Sequence, residues 1–163
     1  MRIVLLAALL GSPLAFAETV DLTTRVSGVV QEVLVSPGQA VKKGAVLLRL
    51  DRIVLQARLE EAGADLARAQ ADEADTKRDA ERAQELFNRT VSSTTELDAA
   101  LLRHVRAQAA LTTANARQVI AQKNLADAEL KAPFDGVVEA VPGAPGVVVA
   151  AECQPRTLVV MRR

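Results

Sequence analysis

The sequence predicts an α+β protein in which a small split β domain carries a long antiparallel coiled-coil α-hairpin between its two halves. Three observations predict this. Valine- and glycine-rich segments at residues 18–50 and 132–161 flank an alanine-rich, charge-studded stretch at 53–130. The two flanks repeat one another. The middle stretch keeps a seven-residue apolar period through each of two arms, the spacing of a coiled-coil seam.

A chain of 163 residues is one domain's worth by length. Half of it is apolar, yet only 2% is aromatic and neither Trp nor Tyr occurs. Alanine and valine in place of aromatics disfavour both a large globular core and a pocket that stacks a cofactor ring. Twenty basic residues balance twenty acidic ones, so no net charge steers the chain toward nucleic acid or an anionic membrane.

The first element, "MRIVLLAALLGSPLAFA", has an early Arg2, an apolar run from Ile3 to Leu10, a Gly-Ser-Pro break and Ala15-Phe16-Ala17. That layout predicts a secretory signal cleaved after Ala17. The run is too short to span a bilayer, which takes about 20 residues. The single cysteine, Cys153, is far from the cleavage point, so neither a lipid anchor nor an internal disulfide is expected.

The β halves follow, expected at residues 18–51 and 132–163. Setting "GVVQEVLVSPGQAVKKG" (28–44) against "GVVEAVPGAPGVVVAAE" (136–152) aligns Gly28 with Gly136, Val30 with Val138, Val33 with Val141, Gly38 with Gly146 and Val41 with Val149. Further on, Leu50 falls on Leu158, whereas Val35 meets Gly143 and Gly44 meets Glu152. Such a repeat reads as short β-branched strands broken where the backbone turns tightly. Each half is too small to bury a core, so the two must pack together.

Between them a hairpin is expected over 52–131, with its tip at about 90–95. The first arm places Leu59, Leu66, Glu73, Ala80 and Phe87 at one seam position, and Leu55, Ala62, Ala69, Thr76 and Ala83 at the other. In the second arm the series are Leu97, His104, Leu111, Gln118, Leu125 and Ala100, Ala107, Ala114, Ala121, Ala128. Folding the arms back about residues 93–94 makes partners sum to about 187, which sets large residues against small ones and fills an interface without voids. On that register His104 faces Ala83, and Glu73 lies mid-arm at a core position; both read as a locally loose, partly wet seam, and Glu73 has no partner as an acid or base. A lone histidine is a poor metal site, and no nucleophile–base pair, metal cluster or phosphate-cradling loop stands in the sequence, so no enzyme is predicted. In "RAQELFNRTVSSTTELD" (82–98), Thr and Ser residues are placed to cap the second arm.

This layout, with "VSGVVQEVLVSPGQAVKKGAVLLRLD" (26–51) and "LKAPFDGVV" (130–138), resembles the periplasmic adaptors, or membrane fusion proteins, of the HlyD and AcrA type. The resemblance implies a lipoyl-like, barrel-sandwich hybrid β domain and a periplasmic adaptor of a tripartite efflux or secretion system. It implies docking of the hairpin tip on a TolC-like outer-membrane channel. It also implies a homo-oligomer of three or six copies and an inner-membrane transporter of the RND or ABC type. Adaptors that dock on such channels carry an arginine, a leucine four residues on and a serine seven after that; Arg82, Leu86 and Ser93 match. Arg82 and Leu86 lie off the seam.

Lipoyl and biotinyl domains attach a cofactor to a lysine in the turn between halves. Here the hairpin replaces that turn, and neither Lys42, Lys43 nor Lys131 takes the carrier position, so no cofactor is expected. Full-length adaptors add a β-barrel and a membrane-proximal domain; the short flanks here favour a minimal adaptor and leave contact with a transporter open. The alternatives are a truncated adaptor fragment, or a coiled-coil scaffold or decoy that binds other adaptors without bridging.

Overall fold

Glycine and β-branched residues alternate through the flanks, and the strands they form are short. The computed structural model describes residues 18–151 and 156–163; the expected signal at 1–17 and Cys153 lie outside the described residues. In chain order the elements are β1 (Thr19–Leu22), β2 (Gly28–Val33), β3 (Ala40–Val41), β4 (Val46–Leu50), α1 (Ile53–Asn88), α2 (Thr94–Ala126), β5 (Glu129–Lys131), β6 (Gly136–Ala140), β7 (Val148–Val149) and β8 (Val159–Arg162). The helices form a hairpin inserted between β4 and β5. Among the described residues no helix is long and apolar enough to cross a membrane.

The strands make two four-stranded antiparallel sheets, ordered β1-β8-β6-β3 and β5-β4-β2-β7. Each sheet takes two strands from either half, so neither half completes a sheet alone. The repeat is visible in the hydrogen bonds. Gly38 N–H donates to Val138 O at 2.7 Å, and its counterpart Gly146 N–H donates to Val30 O at 2.8 Å. Val138 N–H donates to Gln39 O, and Val30 N–H to Val147 O, both at 2.9 Å. Gly38 and Gly146 hold φ of 84° and 86°, a region that glycine enters without steric cost. The alignment's mismatch at Val35 and Gly143 is also real: Gly143 N–H donates to Leu158 O, while in the first half the bond to β4 comes from Leu34.

Between the sheets lie Leu47, Leu48, Leu50, Leu158, Met161, Val30, Val138, Val149 and Val159, all essentially inaccessible. Leu47 and Leu48 are consecutive yet both buried, because β4 steps two residues, Val46 to Leu48, for one on β5. This bulge turns an otherwise outward residue into the core. Leu55, Leu125 and Ala128 of the hairpin base join the same core. Salt links accompany them: Glu129 lies 3.2 Å from Lys131, 3.4 Å from Arg49 and 3.8 Å from Arg52. The Lys131 ammonium, chiefly, holds the Glu129 carboxyl below its usual range.

Four residues of the "APFDG" segment tie it to the first half's turn and to the C-terminal strand. Ala132 exchanges hydrogen bonds with the first half's turn, accepting from Gly44 N–H at 2.8 Å and donating to Ala45 O at 2.9 Å. The Asp135 carboxylate accepts from Lys43 N–H at 2.6 Å. The Phe134 ring lies under the Arg163 guanidinium, 5.9 Å from its centroid. Gly136 sits directly beneath the carbonyl of Arg162.

Every residue expected at the seam is buried or half-buried. The register between the arms differs from the expected one. Glu73 Oε1 lies 3.9 Å from His104 Nδ1, and a side chain at Gly63 would meet Gln118. Facing residues therefore sum to about 177–181, because the reversal centres on Val91 and not on 93–94. The slip is close to one heptad, which keeps seam positions facing seam positions. Glu73 thus stands opposite His104, which the expected register had set against Ala83. A second difference lies at the base: α2 ends at Ala126, and Glu129–Lys131, expected within the hairpin, pair with β4 as a strand.

His104 Nδ1 is buried without a hydrogen-bond partner, opposite a carboxylate just beyond bonding distance. A half-made polar contact in a seam costs more than it returns. Replacing Glu73 and His104 together by leucine is expected to stabilise the hairpin by about 1 kcal/mol. The check is thermal unfolding by circular dichroism; an unchanged or lower midpoint would show that the pair contributes net stability.

Candidate functional site

At 1.5 Å per residue, the 36 residues of α1 carry the tip about 54 Å from the β domain. Helix α1 stops there by a backbone device. Thr90 N–H donates to Phe87 O at 2.9 Å and Val91 N–H to Leu86 O at 3.0 Å, the paired bonds of a Schellman closure. Thr90 takes the left-handed position with φ 61°. Glycine usually fills that place, and a β-branched residue there is strained.

Helix α2 starts with a capping box. Ser93 Oγ accepts from Glu96 N–H at 3.3 Å, while Ser93 N–H donates to Glu96 Oε2 at 3.1 Å. The Ser93 backbone bond, helped by the Ser92 hydroxyl, holds the Glu96 carboxyl below its usual range. With a depressed folded value, this contribution is present above the ordinary carboxylate range and is lost as pH falls through the depressed one. The two caps set the turn at residues 89–93 and hence the register of the arms.

Arg82, Leu86 and Ser93 are all exposed and stand within the last turns around this reversal. Leu86 is 39% accessible, one of several exposed apolar residues along the hairpin, and stands one residue from the seam's Phe87. The Arg82 guanidinium pairs with Asp79 at 2.9 Å, with both groups in solvent. Such an exposed pair is worth little and yields readily to a better partner. Ser93 is different: its hydroxyl and its N–H both serve the cap. Val91, 72% accessible, completes the apolar surface of the tip and was not among the expected residues. Its signal in the sequence is one valine isolated among hydroxyl residues in "RTVSSTT". Among the described residues no group of three or more His, Cys, Asp or Glu is placed to hold a metal ion.

Residues 18–157 match the CzcB-like barrel-sandwich hybrid domain. The efflux pump periplasmic linker BepF of Brucella suis biovar 1 (strain 1330) is 35% identical over 143 residues, covering 88% of this chain and 35% of BepF. A putative efflux transporter of Bacteroides eggerthii shares the fold at TM-score 0.60 and 25% identity, over 90% of this chain and 40% of that one. A MacA–MexA chimera containing the Pseudomonas aeruginosa MexA α-hairpin domain is similar at TM-score 0.50 and 28% identity, over 89% and 46% of the two chains. The chain spans about a third of the length of the curated relatives it matches.

Proposed function

The chain belongs to the CzcB-like barrel-sandwich hybrid domains, found in membrane fusion proteins and the periplasmic linkers of efflux pumps, and on that premise we propose a non-enzymatic periplasmic adaptor. It docks its hairpin tip on a TolC-like outer-membrane channel and so supports transport across the envelope. The observation that carries this reading is Leu86: an exposed leucine, off the seam, at the far end of an arm about 54 Å long. Packing along the seam gives no reason for it. Docking supplies one, since Leu86 buries apolar area on the channel's helices while Arg82 exchanges Asp79 for a polar group of the partner.

A single tip is a small contact. Three or six copies arranged in a ring present several tips to one channel, and multivalency raises the affinity of the set. The inner-membrane partner in this reading is a transporter of the RND or ABC type, and the compartment is the periplasm, reached by cleavage after Ala17. The test is capture of a purified, detergent-solubilised TolC-like channel by the exported protein. Loss of capture on Arg82→Ala and Leu86→Asp, with the helical signal retained, supports the reading; wild-type capture by both variants refutes it.

A further inference from the structure

At the opposite end of the hairpin a groove of about 630 Å³ is lined by the first turns of α1, the loop before β2, and β7. That volume is the size of a small-molecule site. Val26, Leu55 and Val149 line it and belong to the hydrophobic core, so its floor is preformed. Val29, Val54 and Val148 line it as well, one each from β2, α1 and β7, and they are 40%, 61% and 69% accessible.

The charged residues of the groove are Arg25, Arg58 and Asp51. Asp51 is committed to the helix start, where its Oδ1 accepts from Ile53 N–H at 2.9 Å. The other arginines of α1, Arg68, Arg78 and Arg82, each pair with an aspartate three residues earlier. Arg58 has the core residue Leu55 at that place, and among the described residues neither it nor Arg25 forms an ion pair. Two guanidinium groups beside three open valines suit a ligand with an anionic head and an apolar body.

We infer that this groove binds a monomeric anionic amphiphile, a fatty-acid-like carboxylate whose chain lies on Val29, Val54 and Val148 and whose head group lies between Arg25 and Arg58. Its source is a free molecule and not a bilayer, because the groove is concave and a planar surface would not reach the core residues at its floor. The site is independent of the tip, which lies about 54 Å away.

Calorimetric titration of the exported protein with decanoate, below its micelle concentration, tests this, with valine-methyl NMR to locate the ligand. One decanoate per chain is expected, with shifts at the methyls of Val29, Val54 and Val148. Arg25→Ala and Arg58→Ala are each expected to weaken binding at least about fivefold at an unchanged unfolding midpoint, while Arg68→Ala, outside the groove, binds as wild type. Decyltrimethylammonium, with the same chain and a cationic head, is expected to bind at least about tenfold more weakly. No saturable binding, equal affinity for the two amphiphiles, methyl shifts elsewhere, or wild-type affinity in the double variant Arg25→Ala/Arg58→Ala overturns the assignment. Binding to phosphatidylglycerol vesicles that decanoate does not displace would make the groove a membrane contact. Self-association that blocks decanoate would give it to a second copy, and either result also overturns the assignment.

Discussion

Gly136→Ala is expected to destabilise the β domain by about 3 kcal/mol or more, whereas Gly28→Ala, at the equivalent place in the other half, stays within about 1 kcal/mol of wild type. The two glycines are repeat mates on β6 and β2, and sequence treats them alike. A Cβ on Gly136 would lie 2.4 Å from the carbonyl oxygen of Arg162 and 3.2 Å from the Phe134 ring. The oxygen belongs to the backbone of β8, whose neighbours β1 and β6 both pair with it, so it has nowhere to retreat. At Gly28 the nearest atoms are side-chain carbons of Leu50 at 3.7 Å, an ordinary contact. In a chain of this length the first change lowers the melting midpoint by roughly 10 °C. Matching midpoints for the two variants would show that the sheets adjust around residue 136.

Leu86→Asp is expected to give the largest functional loss. Burying a leucine contributes about 1.5–3 kcal/mol, so removing it weakens each tip by roughly ten- to a hundredfold, and placing a carboxylate in the contact adds a desolvation cost. In a ring, the loss recurs at every tip and compounds. A monomeric variant would show only the single-site factor. Titrating channel capture against adaptor concentration therefore distinguishes one weakened contact from several. The helical signal remains as the control, since Leu86 is not a seam residue and its substitution leaves the coiled coil intact. Arg82→Ala has a smaller expected effect, because its exposed pairing with Asp79 must be given up before any new bond forms.

The fold class was legible in the residues for a simple reason: periods of two and seven need no knowledge of the partner surface. The expected seam positions from Leu55 to Leu125 are all buried or half-buried, whereas Ala128 lies past the end of α2 and joins the β-domain core. The register was not legible, because a heptad repeat looks the same after a slip of seven. What decides it is the turn, and the turn depends on Thr90 adopting a conformation that a threonine ordinarily avoids. Glu73 and His104 read as isolated misfits in sequence, and the slip brings them together. Likewise "ELK" at 129–131 continues the composition of α2, and only the free edge of β4 makes it a strand.

At the tip, the resemblance to the adaptors pointed to Arg82, Leu86 and Ser93, and the heptad frame separated the first two from the seam. Tertiary structure divided their roles: Leu86 is open to a partner, Arg82 is lightly held, and Ser93 is occupied by Glu96. It also added Val91. Sequence alone determined the two interlocking β halves and the hairpin between them, because periodic burial is a local property of the chain. The structure alone decided which repeat glycine is indispensable, where the arms reverse and which side chains remain at the apex. The first depends on atoms distant in sequence meeting within a few ångströms, and the other two on Thr90 taking a backbone conformation that threonine ordinarily avoids.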